Sequence, residues 1–471
     1  MPLILSGNVA SATADVAYSV ANSCRFNDDA YMAKTGSAGN QKTWTYSVWV
    51  KRAALGDANI FFGVGDGRLT CRFDPDVIQI YDYSPQYGIT TNAVFRDSSA
   101  WYNIVFNWDT TQATASNRIK LWVNGEQITS FSASSYPSEN YDSIVNSTVD
   151  HQIGGRDNFS SERFNGYMAE AVLIDGSALT ASSFGEFNED SPTIWQPIDV
   201  SGLTFGTNGF YCDFEASDNL GNDANGGTDL GETNLAATDQ ATDTPTNNGT
   251  TLNPLVLIGN TGTTYTEGNL SFAASSSNWT STYSTIAASQ GKWYAEMKIE
   301  TLSSSTGYGN VGIIDTEHDT DANFIAGAKS AGLELDYRGG ANVNAFSAGS
   351  SVEAAGVDFA EGAIVGLAVD MDNNALYISE NGTYITISSA VGDPTSGASK
   401  TGAVTIPSTF NFFAFAIGSY TANFKGSWNF GSPSYSISSG NADADGYGNF
   451  EYAVPSGYYA LNTKNLGAYG G

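Results

Sequence analysis

The sequence predicts an all-β protein built from two antiparallel β-sandwiches in tandem, and three observations support this prediction. One strand–turn–strand pattern occurs twice, as WYNIVFNWD and IKLWVNGEQI within residues 101–128 and as AIVGLAVDMD and LYISENGTYI within residues 363–385. In the first copy, apolar and polar side chains alternate, which is the period of a strand with one buried face. In both copies the second strand ends in Asn-Gly, at Asn124 and Asn381, and these residues tolerate the positive φ of a tight hairpin.

Residues 1–22 are expected to form an N-terminal arm, and the first sandwich is expected to span residues 23–216. Short segments that end in Gly- or Asp-rich turns follow one another through this block, which is typical of a sandwich or barrel. These segments are NIFFGVGDG, VIQIYDY and YMAEAVLIDG, and the alternating TWTYSVWVKR and the closing GFYCDFEA are further strand-like segments of the block. Residues 177–187 are the best candidate for a short helix, with Thr180 or Ser182 as its N-cap.

Residues 217–262 are expected to join the two sandwiches. The stretch is rich in Asp, Asn, Gly and Thr, poor in apolar residues, and contains Pro245 and Pro254. This composition fits a long acidic linker or a long ordered loop.

The second sandwich is expected to span residues 263–433, followed by a C-terminal tail over residues 434–471. Its strand-like segments include GKWYAEMKIE, VGIID, GLELDY, NFFAFAIGS and GSWNFG. The Tyr and Phe residues of the tail indicate that it packs on something, either the second sandwich or a neighbouring subunit.

The charge of the chain excludes two classes of partner. The 471 residues suffice for two or three domains, and 13% aromatic content indicates that most of them fold. There are 19 Lys and Arg against 49 Asp and Glu, a formal charge of 19 − 49 = −30, and residues 164–291 contain no Lys, Arg or His. Because nucleic acids and anionic membranes attract cationic surfaces, we expect neither as a partner.

The N-terminus has only a short apolar run, residues 2–5, with no positive charge before it, and the chain has no run of about 18 apolar residues. We therefore expect no signal peptide and no membrane insertion. Cys24, Cys71 and Cys212 are widely spaced and match no metal or redox motif. Buried free thiols are expected, as in a protein made in a reducing cytoplasm.

Several segments are similar to known domain families. TYSVWVKR, WYNIVFNWD, IKLWVNGEQI and FNGYMAEAVLIDGSALT make the first block resemble the laminin G-like, concanavalin A-like lectin domain, over roughly residues 23–215. GKWYAEMKIE, VGIID, VGLAVDMDNNALYISENGTY and SWNFG make the second block resemble a SPRY domain, over residues 263–431. Both families are concanavalin A-like sandwiches, so the resemblance implies two tandem jelly rolls joined by the acidic stretch.

Two further segments resemble bacteriophage virion proteins of the tail or tail-fibre type. They are VANSCRFNDDAYMAKTGSAGNQKTWTYSVWVKR and the acidic stretch, especially DTPTNN followed by TLNPL. The resemblance implies a structural protein made in the host bacterial cytoplasm and placed in the virion, in the tail or on the outer surface. Other virion proteins would be its partners, and analogy with phage appendages suggests a homo-oligomer, a trimer or a ring.

The sequence offers weak candidates for a metal site. Asp315, Glu317, Asp319 and Asp321 crowd one loop with His318, and oxygen-rich loops can hold Ca²⁺. Acidic turns between strands look the same, so Ca²⁺ is a possibility and no cofactor is expected. In the acidic stretch, Asp218, Asp223, Asn225 and Asp229 are open to the same two interpretations, a Ca²⁺ site or an acidic turn. The run at 370–374 resembles the start of an EF-hand loop, but it lacks the Gly and Glu of that loop and indicates a simple turn.

No pattern in the sequence predicts catalysis. Glu334 and Asp336 begin the Glu-x-Asp-x-x-Glu pattern of sandwich-fold glucanases, but position 339 is Gly. His151 and His318 are the only histidines and lie in no triad-like arrangement, and no phosphate-binding or dinucleotide motif occurs. We predict no catalytic and no cofactor-binding residue, and therefore no enzyme.

The predicted function is a structural role in a tail or surface appendage, with recognition of a host-surface glycan. Rim loops of a rigid sandwich would present polar and aromatic groups to the partner. Aromatic side chains in loop-like stretches that could stack on sugars are Tyr83, Tyr87, Tyr136 and Tyr141. Two alternatives stay open: a purely structural capsid decoration or tail adaptor, and a glycan-degrading enzyme.

Overall fold

The chain folds into two compact units of β-structure. The computed structural model describes residues 4, 18–156, 162–259, 262–274, 278–302, 308–317, 323–324, 329–336, 344–355, 359–420 and 422–470. The first unit comprises residues 13–247, and the second comprises residues 248–471 together with residues 1–12. The fold is nearly all β, with 5% helix, as the sequence predicts. In the described part of the chain no helix is long and apolar enough to cross a membrane.

The strands of the first unit run in the order β1 to β18. They are β1 (Ser23–Phe26), β2 (Tyr31–Thr35), β3 (Thr43–Arg52), β4 (Asn59–Val64), β5 (Leu69–Phe73), β6 (Val77–Asp82), β7 (Tyr87–Val94), β8 (Trp101–Asp109), β9 (Ile119–Val123), β10 (Glu126–Ile128), β11 (Phe131–Ser135), β12 (Asp150–Ile153), β13 (Gly166–Asp175), β14 (Gly185–Phe187), β15 (Trp195–Pro197), β16 (Phe210–Cys212), β17 (Gly231–Thr233) and β18 (Gln240–Ala241). The short helix predicted in residues 177–187 is a single 3₁₀ turn, Ala181–Ser183, and the side chain of its N-cap residue Thr180 makes no capping bond.

Two antiparallel sheets form the first sandwich. Sheet A has the order β10-β9-β8-β3-β13-β1-β18, with β16 also on β13, and sheet B has the order β11-β7-β6-β5-β4-β12-β2-β17. Aromatic rings fill the space between them: Tyr46 of sheet A stacks on Phe62 of sheet B with ring centroids 4.3 Å apart. The three cysteines are free and buried.

The strands of the second unit run in the order β19 to β37, and a helix, α1, ends the unit. They are β19 (Ile258–Gly259), β20 (Thr263–Thr266), β21 (Ser271–Ala274), β22 (Thr280–Tyr283), β23 (Lys292–Leu302), β24 (Tyr308–Asp315), β25 (Ser330–Asp336), β26 (Asn344–Ser347), β27 (Ser350–Val352), β28 (Ala354–Ala355), β29 (Ile364–Asp370), β30 (Ala375–Glu380), β31 (Thr383–Tyr384), β32 (Thr386–Ile387), β33 (Ala390–Val391), β34 (Val404–Thr405), β35 (Phe413–Ser419), β36 (Phe424–Asn429), β37 (Tyr459–Ala460) and α1 (Thr463–Tyr469).

The second unit is also a two-sheet sandwich. Sheet C has the order β19-β22-β35-β24-β25-β26-β27, and sheet D has the order β20-β21-β36-β23-β29-β30-β31, with β34 on β30 and β37 parallel to β23. Phe415 of sheet C and Trp428 of sheet D meet in the core, with ring centroids 5.6 Å apart. Leu367 and Ile378 of the repeated hairpin are fully buried in the same core.

The repeated sequence pattern folds the same way in both units. Asn124 and Asn381 have φ of 48° and 47°. The Oδ1 atom of Asn124 accepts the backbone N–H of Asn103 at 2.7 Å, and Oδ1 of Asn381 accepts that of Ile364 at 2.9 Å. In each unit, therefore, one asparagine closes the turn and also satisfies a backbone donor of the neighbouring strand, because its short amide side chain reaches back across the turn.

The acidic stretch 217–262 divides between the two units. Residues 217–247 belong to the first unit, where β17 extends sheet B and β18 extends sheet A. Its acids pair with cations of the first sandwich: Asp239 lies 3.3 Å from Arg25, and Asp243 lies 2.7 Å from the buried Lys51. The sequence could not place these residues because their partners lie some 190 or more positions earlier in the chain.

The predicted C-terminal tail is an integral part of the second unit. Residues 434–471 belong to that unit, and Phe450 and Tyr458 share a buried cluster with Tyr294 and Tyr377 of sheet D. The buried carboxylate of Glu296 accepts the backbone N–H groups of residues 451 and 452 at 2.9 and 2.8 Å. Of the predicted arm, Ile4 bridges to Ile286 in the second unit, and residues 18–22 belong to the first unit.

Candidate functional site

The outer faces of three sheets are covered by other parts of the same unit. The covering residues are Ala181, Phe184, Val200 and Phe205 on sheet A, Val256 and Phe324 on sheet C, and Phe450 and Tyr458 on sheet D. Among the residues that the structure describes, no comparable apolar cluster covers the outer face of sheet B. That face carries polar and aromatic side chains, so it is the broad sheet surface open to a partner.

The alternation of β6 places its polar residues on this face. Ile78 and Ile80 are buried in the core, and Gln79 and Tyr81 point outward and are half-buried. Tyr83 follows the end of the strand and is 38% exposed, and its ring meets that of Tyr81 edge-on at 4.8 Å. Asp74 and Glu162 are partly exposed, with 34% and 26% of their side chains accessible. We call Asp74, Gln79, Tyr81, Tyr83 and Glu162 the sheet B patch.

Two arginines hold the patch in place. Arg72 donates to Gln79 at 3.0 Å, to Asp74 at 2.8 Å and to Glu162 at 3.3 Å. Arg156 pairs with the same Glu162 oxygen at 2.8 Å. The guanidinium carbons of Arg72 and Arg156 lie 5.9 and 5.7 Å from the Tyr83 ring centroid, within cation–π range. Both arginine side chains are about nine-tenths covered, so they act as supports beneath the exposed tyrosine and carboxylates.

A hydrogen-bonded turn fixes the position of Tyr83. Its neighbour Asp82 is buried and accepts bonds from Arg68 at 3.1 Å and from the Tyr141 hydroxyl at 2.8 Å. The backbone N–H of Tyr83 donates to the carbonyl of Arg68 at 2.7 Å. Burial and the Asp82 carboxylate raise the pKa of Tyr141 to about 12, so this hydroxyl keeps its proton at ordinary pH. The turn is therefore rigid before any ligand arrives.

Gly67 lets the backbone lie directly against the side chain of Arg156 beneath the patch. It has φ of 71°, and a Cβ built there would lie 2.2 Å from Cδ of Arg156. A residue with a side chain would therefore displace Arg156, and with it the support of Tyr83 and Glu162.

The four tyrosines that sequence reasoning selected lie in two different environments. Tyr83 belongs to the patch, and Tyr87, Tyr136 and Tyr141 pack against the core of the first unit. Sequence reasoning missed Arg72, Arg156, Gln79 and Glu162. The period-two pattern of VIQIYD could have indicated Gln79 and Tyr81 on one face, but no local signal links Arg156 or Glu162 to that strand.

The predicted metal loop is described only in part. Asp319 and Asp321, with His318, lie outside the described residues. Lys329 lies 3.7 Å from Asp315 and 3.9 Å from Glu317, and Asn411 also donates to Glu317 at 3.2 Å. One ammonium group thus offsets part of the charge of the two described carboxylates, and no group of three His, Cys, Asp or Glu side chains that could hold a metal occurs in the described residues. Ca²⁺ binding by this loop stays a prediction.

Two other acidic candidates, Asp223 and Asp370, make stabilising contacts within their own units. In the acidic stretch, Asp223 accepts the backbone N–H groups of Tyr211 and Asn225 at 3.0 and 3.2 Å, and Lys34 lies 3.8 Å away. In the EF-hand-like run, Asp370 pairs with Lys292 at 3.0 Å. Asp223 thus closes a local turn and Asp370 pairs with a cation.

Glu170 is the buried carboxyl with the most perturbed environment. It lies at a bulge of β13 with φ of 50° and is only 5% exposed. The hydroxyls of Tyr211 and Tyr18 donate to it at 2.7 and 3.3 Å. Burial raises the pKa of Glu170 to about 7, against a weaker lowering by the two tyrosines.

His151, in the same unit, has a pKa that burial shifts in the opposite direction. Its Nε2 accepts the backbone N–H of Asn146 at 3.0 Å, and Nδ1 lies 3.0 Å from the carbonyl of Val149, so the neutral ring satisfies both contacts. Burial lowers the pKa of His151 to about 4. Neither Glu170 nor His151 lies on the sheet B patch.

Comparison with known proteins gives one family match. Residues 26–183 match the family model described as the concanavalin A-like lectin/glucanases superfamily. This match and the two-sheet architecture confirm the lectin-like, concanavalin A-like fold predicted for the first block. A comparison with curated proteins gives no match.

Among solved structures, the chain is similar to several β-sandwich proteins. The SPRY domain of human HERC1 is 11% identical, with a TM-score of 0.29, 38% of this chain covered and 96% of that domain. A putative carbohydrate binding protein from Bacteroides ovatus is 14% identical, with a TM-score of 0.32, 46% of this chain covered and 59% of that protein. A SAP-like pentraxin from Limulus polyphemus is 13% identical, with a TM-score of 0.28 and coverages of 35% and 80%. At these values the similarity says nothing about a ligand, and membership of the second unit in the SPRY family stays a prediction.

Proposed function

We propose that this protein is a non-enzymatic component of a phage tail or surface appendage, and that its first unit binds a neutral glycan of the host surface. The observation that carries the glycan proposal is the open outer face of sheet B, where an exposed tyrosine lies beside two partly exposed carboxylates on a lectin-like sandwich.

The chemistry of the sheet B patch suits a sugar. The Tyr83 ring offers an apolar surface to the C–H face of a pyranose, and Tyr81 extends it edge-on. Carboxylate and amide oxygens of Asp74, Glu162 and Gln79 accept hydrogen bonds from sugar hydroxyls. Because the arginines already fix these groups, binding would order few side chains and would cost little conformational entropy.

The exposed charge favours a neutral ligand. The accessible charged groups of the patch are carboxylates, the arginines beneath them are covered, and the whole chain carries −30. The charges of Asp74 and Glu162 are balanced by Arg72 and Arg156, so an anionic polysaccharide would find no net positive charge at the patch and would meet the net negative charge of the chain as a whole. We therefore expect neutral host glycans to bind more tightly than acidic ones.

The virion role rests on the sequence resemblance to tail-type phage proteins. Other virion proteins would be its structural partners, and a trimer or ring would present several sheet B patches together. Repeated weak sites then raise the overall avidity without any new contact.

Glycan binding can be tested with variants of the full chain. Neutral and acidic surface polysaccharides of the host bacterium are titrated against the wild type, Tyr83→Ala and Glu162→Gln. We expect each variant to weaken neutral-glycan binding at least about tenfold, which corresponds to about 1.4 kcal/mol.

Two matched controls separate the patch from general damage. Tyr420→Ala removes a half-buried tyrosine of the second unit, and Glu139→Gln removes a carboxylate that is 53% exposed and lies beside Arg118, as Glu162 lies beside Arg72 and Arg156. Both controls should bind as the wild type does. Equal binding by all five proteins, or release of oligosaccharide from the polysaccharide, would contradict the proposal.

A further inference from the structure

A small cleft in the second unit has no part in the function proposed above. It has a volume of about 220 Å³ and is lined by residues of the β23 turn, the 370–374 turn and the C-terminal segment, among them Gln290, Lys292, Asp372, Tyr459 and Tyr469. At about 30 Å³ for each water, the cleft has room for about seven waters. That volume accommodates one sugar ring with its hydroxyls.

One wall of the cleft is a pair of stacked tyrosines. The rings of Tyr459 and Tyr469 lie 3.8 Å apart and 12° from parallel. The Tyr469 hydroxyl donates to Asp445 at 2.9 Å, which fixes the ring at its far end. Both tyrosines are half-buried, so aromatic surface remains accessible at the cleft.

Polar groups line the cleft beside this wall. Asp372 is exposed, and its Oδ1 accepts the backbone N–H of Gly291 at 2.9 Å, which uses one of about four acceptor positions on the carboxylate. Lys292 pairs with Asp370 at 3.0 Å, and an ammonium with three N–H donors retains capacity for another acceptor. The cleft therefore presents acceptors, a donor and an aromatic surface within one small volume.

The walls are held by contacts within the second unit. A Cβ at Gly291 would lie 2.6 Å from the carbonyl oxygen of Tyr469, so the turn packs directly on the end of α1. The indole N–H of Trp293 donates to the carbonyl of Gln290 at 2.8 Å. These contacts form the cleft from the protein's own chain, without a ligand to shape it.

We propose that this cleft is a second carbohydrate site, which takes a single neutral pyranose ring. The free face of one ring of the Tyr459–Tyr469 stack forms the apolar wall for the C–H face of the sugar, and the second ring holds the first in place. Asp372 accepts from its hydroxyls, and Lys292 donates to its oxygens. The C-terminal segment, which covers sheet D, thereby also completes a binding site, and the protein has one sugar site on each of its two units.

The site can be tested by saturation-transfer NMR on the full chain with methyl glycosides of glucose, galactose, mannose and N-acetylglucosamine. We expect at least one of these probes to receive saturation from the wild type. Asp372→Ala, which changes an exposed side chain, and Tyr469→Ala should each raise its dissociation constant at least tenfold. Tyr469→Phe keeps the ring and should retain most of the affinity.

Two control variants make the outcome specific. Tyr420→Ala, in the same unit, should leave the signal unchanged, and Tyr83→Ala, on the sheet B patch, should remove only the part of the signal that comes from sheet B. Absence of transfer to all four probes, or unchanged transfer with Asp372→Ala and Tyr469→Ala, would overturn the proposal. Loss of transfer with Tyr83→Ala alone would place the sugar on sheet B, which supports the function proposed above and overturns this one.

Discussion

Replacing Glu170 with Gln should change how the stability of the first unit depends on pH. In the folded unit, burial raises the pKa of Glu170 from 4.5 to about 7. A raised carboxyl pKa means that the folded state holds the proton more tightly than the unfolded state does. The contribution of this proton to the free energy of unfolding is therefore full below pH 4.5 and is lost as the pH rises to about 7. At 1.36 kcal/mol for each pKa unit, the loss is about 3 kcal/mol.

His151 opposes this effect over nearly the same range. Its pKa falls from 6.5 to about 4 on folding, so its contribution is full above pH 6.5 and is lost as the pH falls to about 4. The shift is again worth about 3 kcal/mol, with the opposite sign. Between about pH 4.5 and 6.5 the two contributions cancel in the wild type. We therefore expect this pair to leave the free energy of unfolding of the wild type nearly independent of pH in that range.

The assay follows the first unit alone. Urea unfolding of the full chain, read by hydrogen exchange of peptides from residues 166–175, reports the free energy of unfolding of the sheet that contains Glu170. Relative to the wild type, Glu170→Gln should gain about 3 kcal/mol as the pH rises from 4.5 to 7. A stability difference between the two proteins that is independent of pH would refute the reasoning.

Three further changes test other parts of the account. Gly67→Ala should reduce glycan binding at least about tenfold, because the new Cβ displaces Arg156 beneath the patch. The strained positive φ should cost about 1–3 kcal/mol of stability. Titration and thermal unfolding measure the two effects, and unchanged binding would contradict the account. Asp243→Ala should destabilise the first unit by about 3–5 kcal/mol, because Lys51 is left buried without its carboxylate and the indole N–H of Trp101 loses its acceptor. Adding Lys51→Met should recover the part of that loss due to the buried charge in the same unfolding assay. Asn381→Ala should lower the free energy of unfolding of the second unit by about 2 kcal/mol, because it removes the acceptor of a backbone N–H and strains a positive φ. Asn381→Gly relieves the strain and should cost less in the same assay. Equal losses would show that φ does not matter.

The two sandwiches could be predicted because their strands carry local signals. The alternation in Trp101–Asp109 and the two Asn-Gly turns indicate which side chains face the core and where each hairpin closes, without reference to distant residues. The expectation of a single buried face was wrong for this strand, because the apolar cluster outside sheet A also buries Val105 on its other face. The acidic stretch was harder to interpret because its order depends on Arg25 and Lys51, which the sequence separates from it by a whole sandwich. The same holds for the tail, which Glu296 binds through backbone groups that leave no sequence signal.

The candidate site was predictable only in its aromatic part. Tyr83 follows a recognisable strand, so its position in an exposed turn could be anticipated. Its supports could not, because Arg156 and Glu162 reach it from some 70 or more residues away and only the sheet topology brings them together. A cleft such as that beside Tyr459 and Tyr469 depends equally on the long-range docking of the C-terminal segment.

The most direct test of glycan recognition by sheet B is a crystal structure of the protein with a neutral host oligosaccharide that binds in solution. We predict a pyranose ring over Tyr83, with hydroxyls within hydrogen-bond distance of Glu162 or Asp74. A sugar seated only elsewhere on the first unit, with the outer face of sheet B empty, would contradict the account.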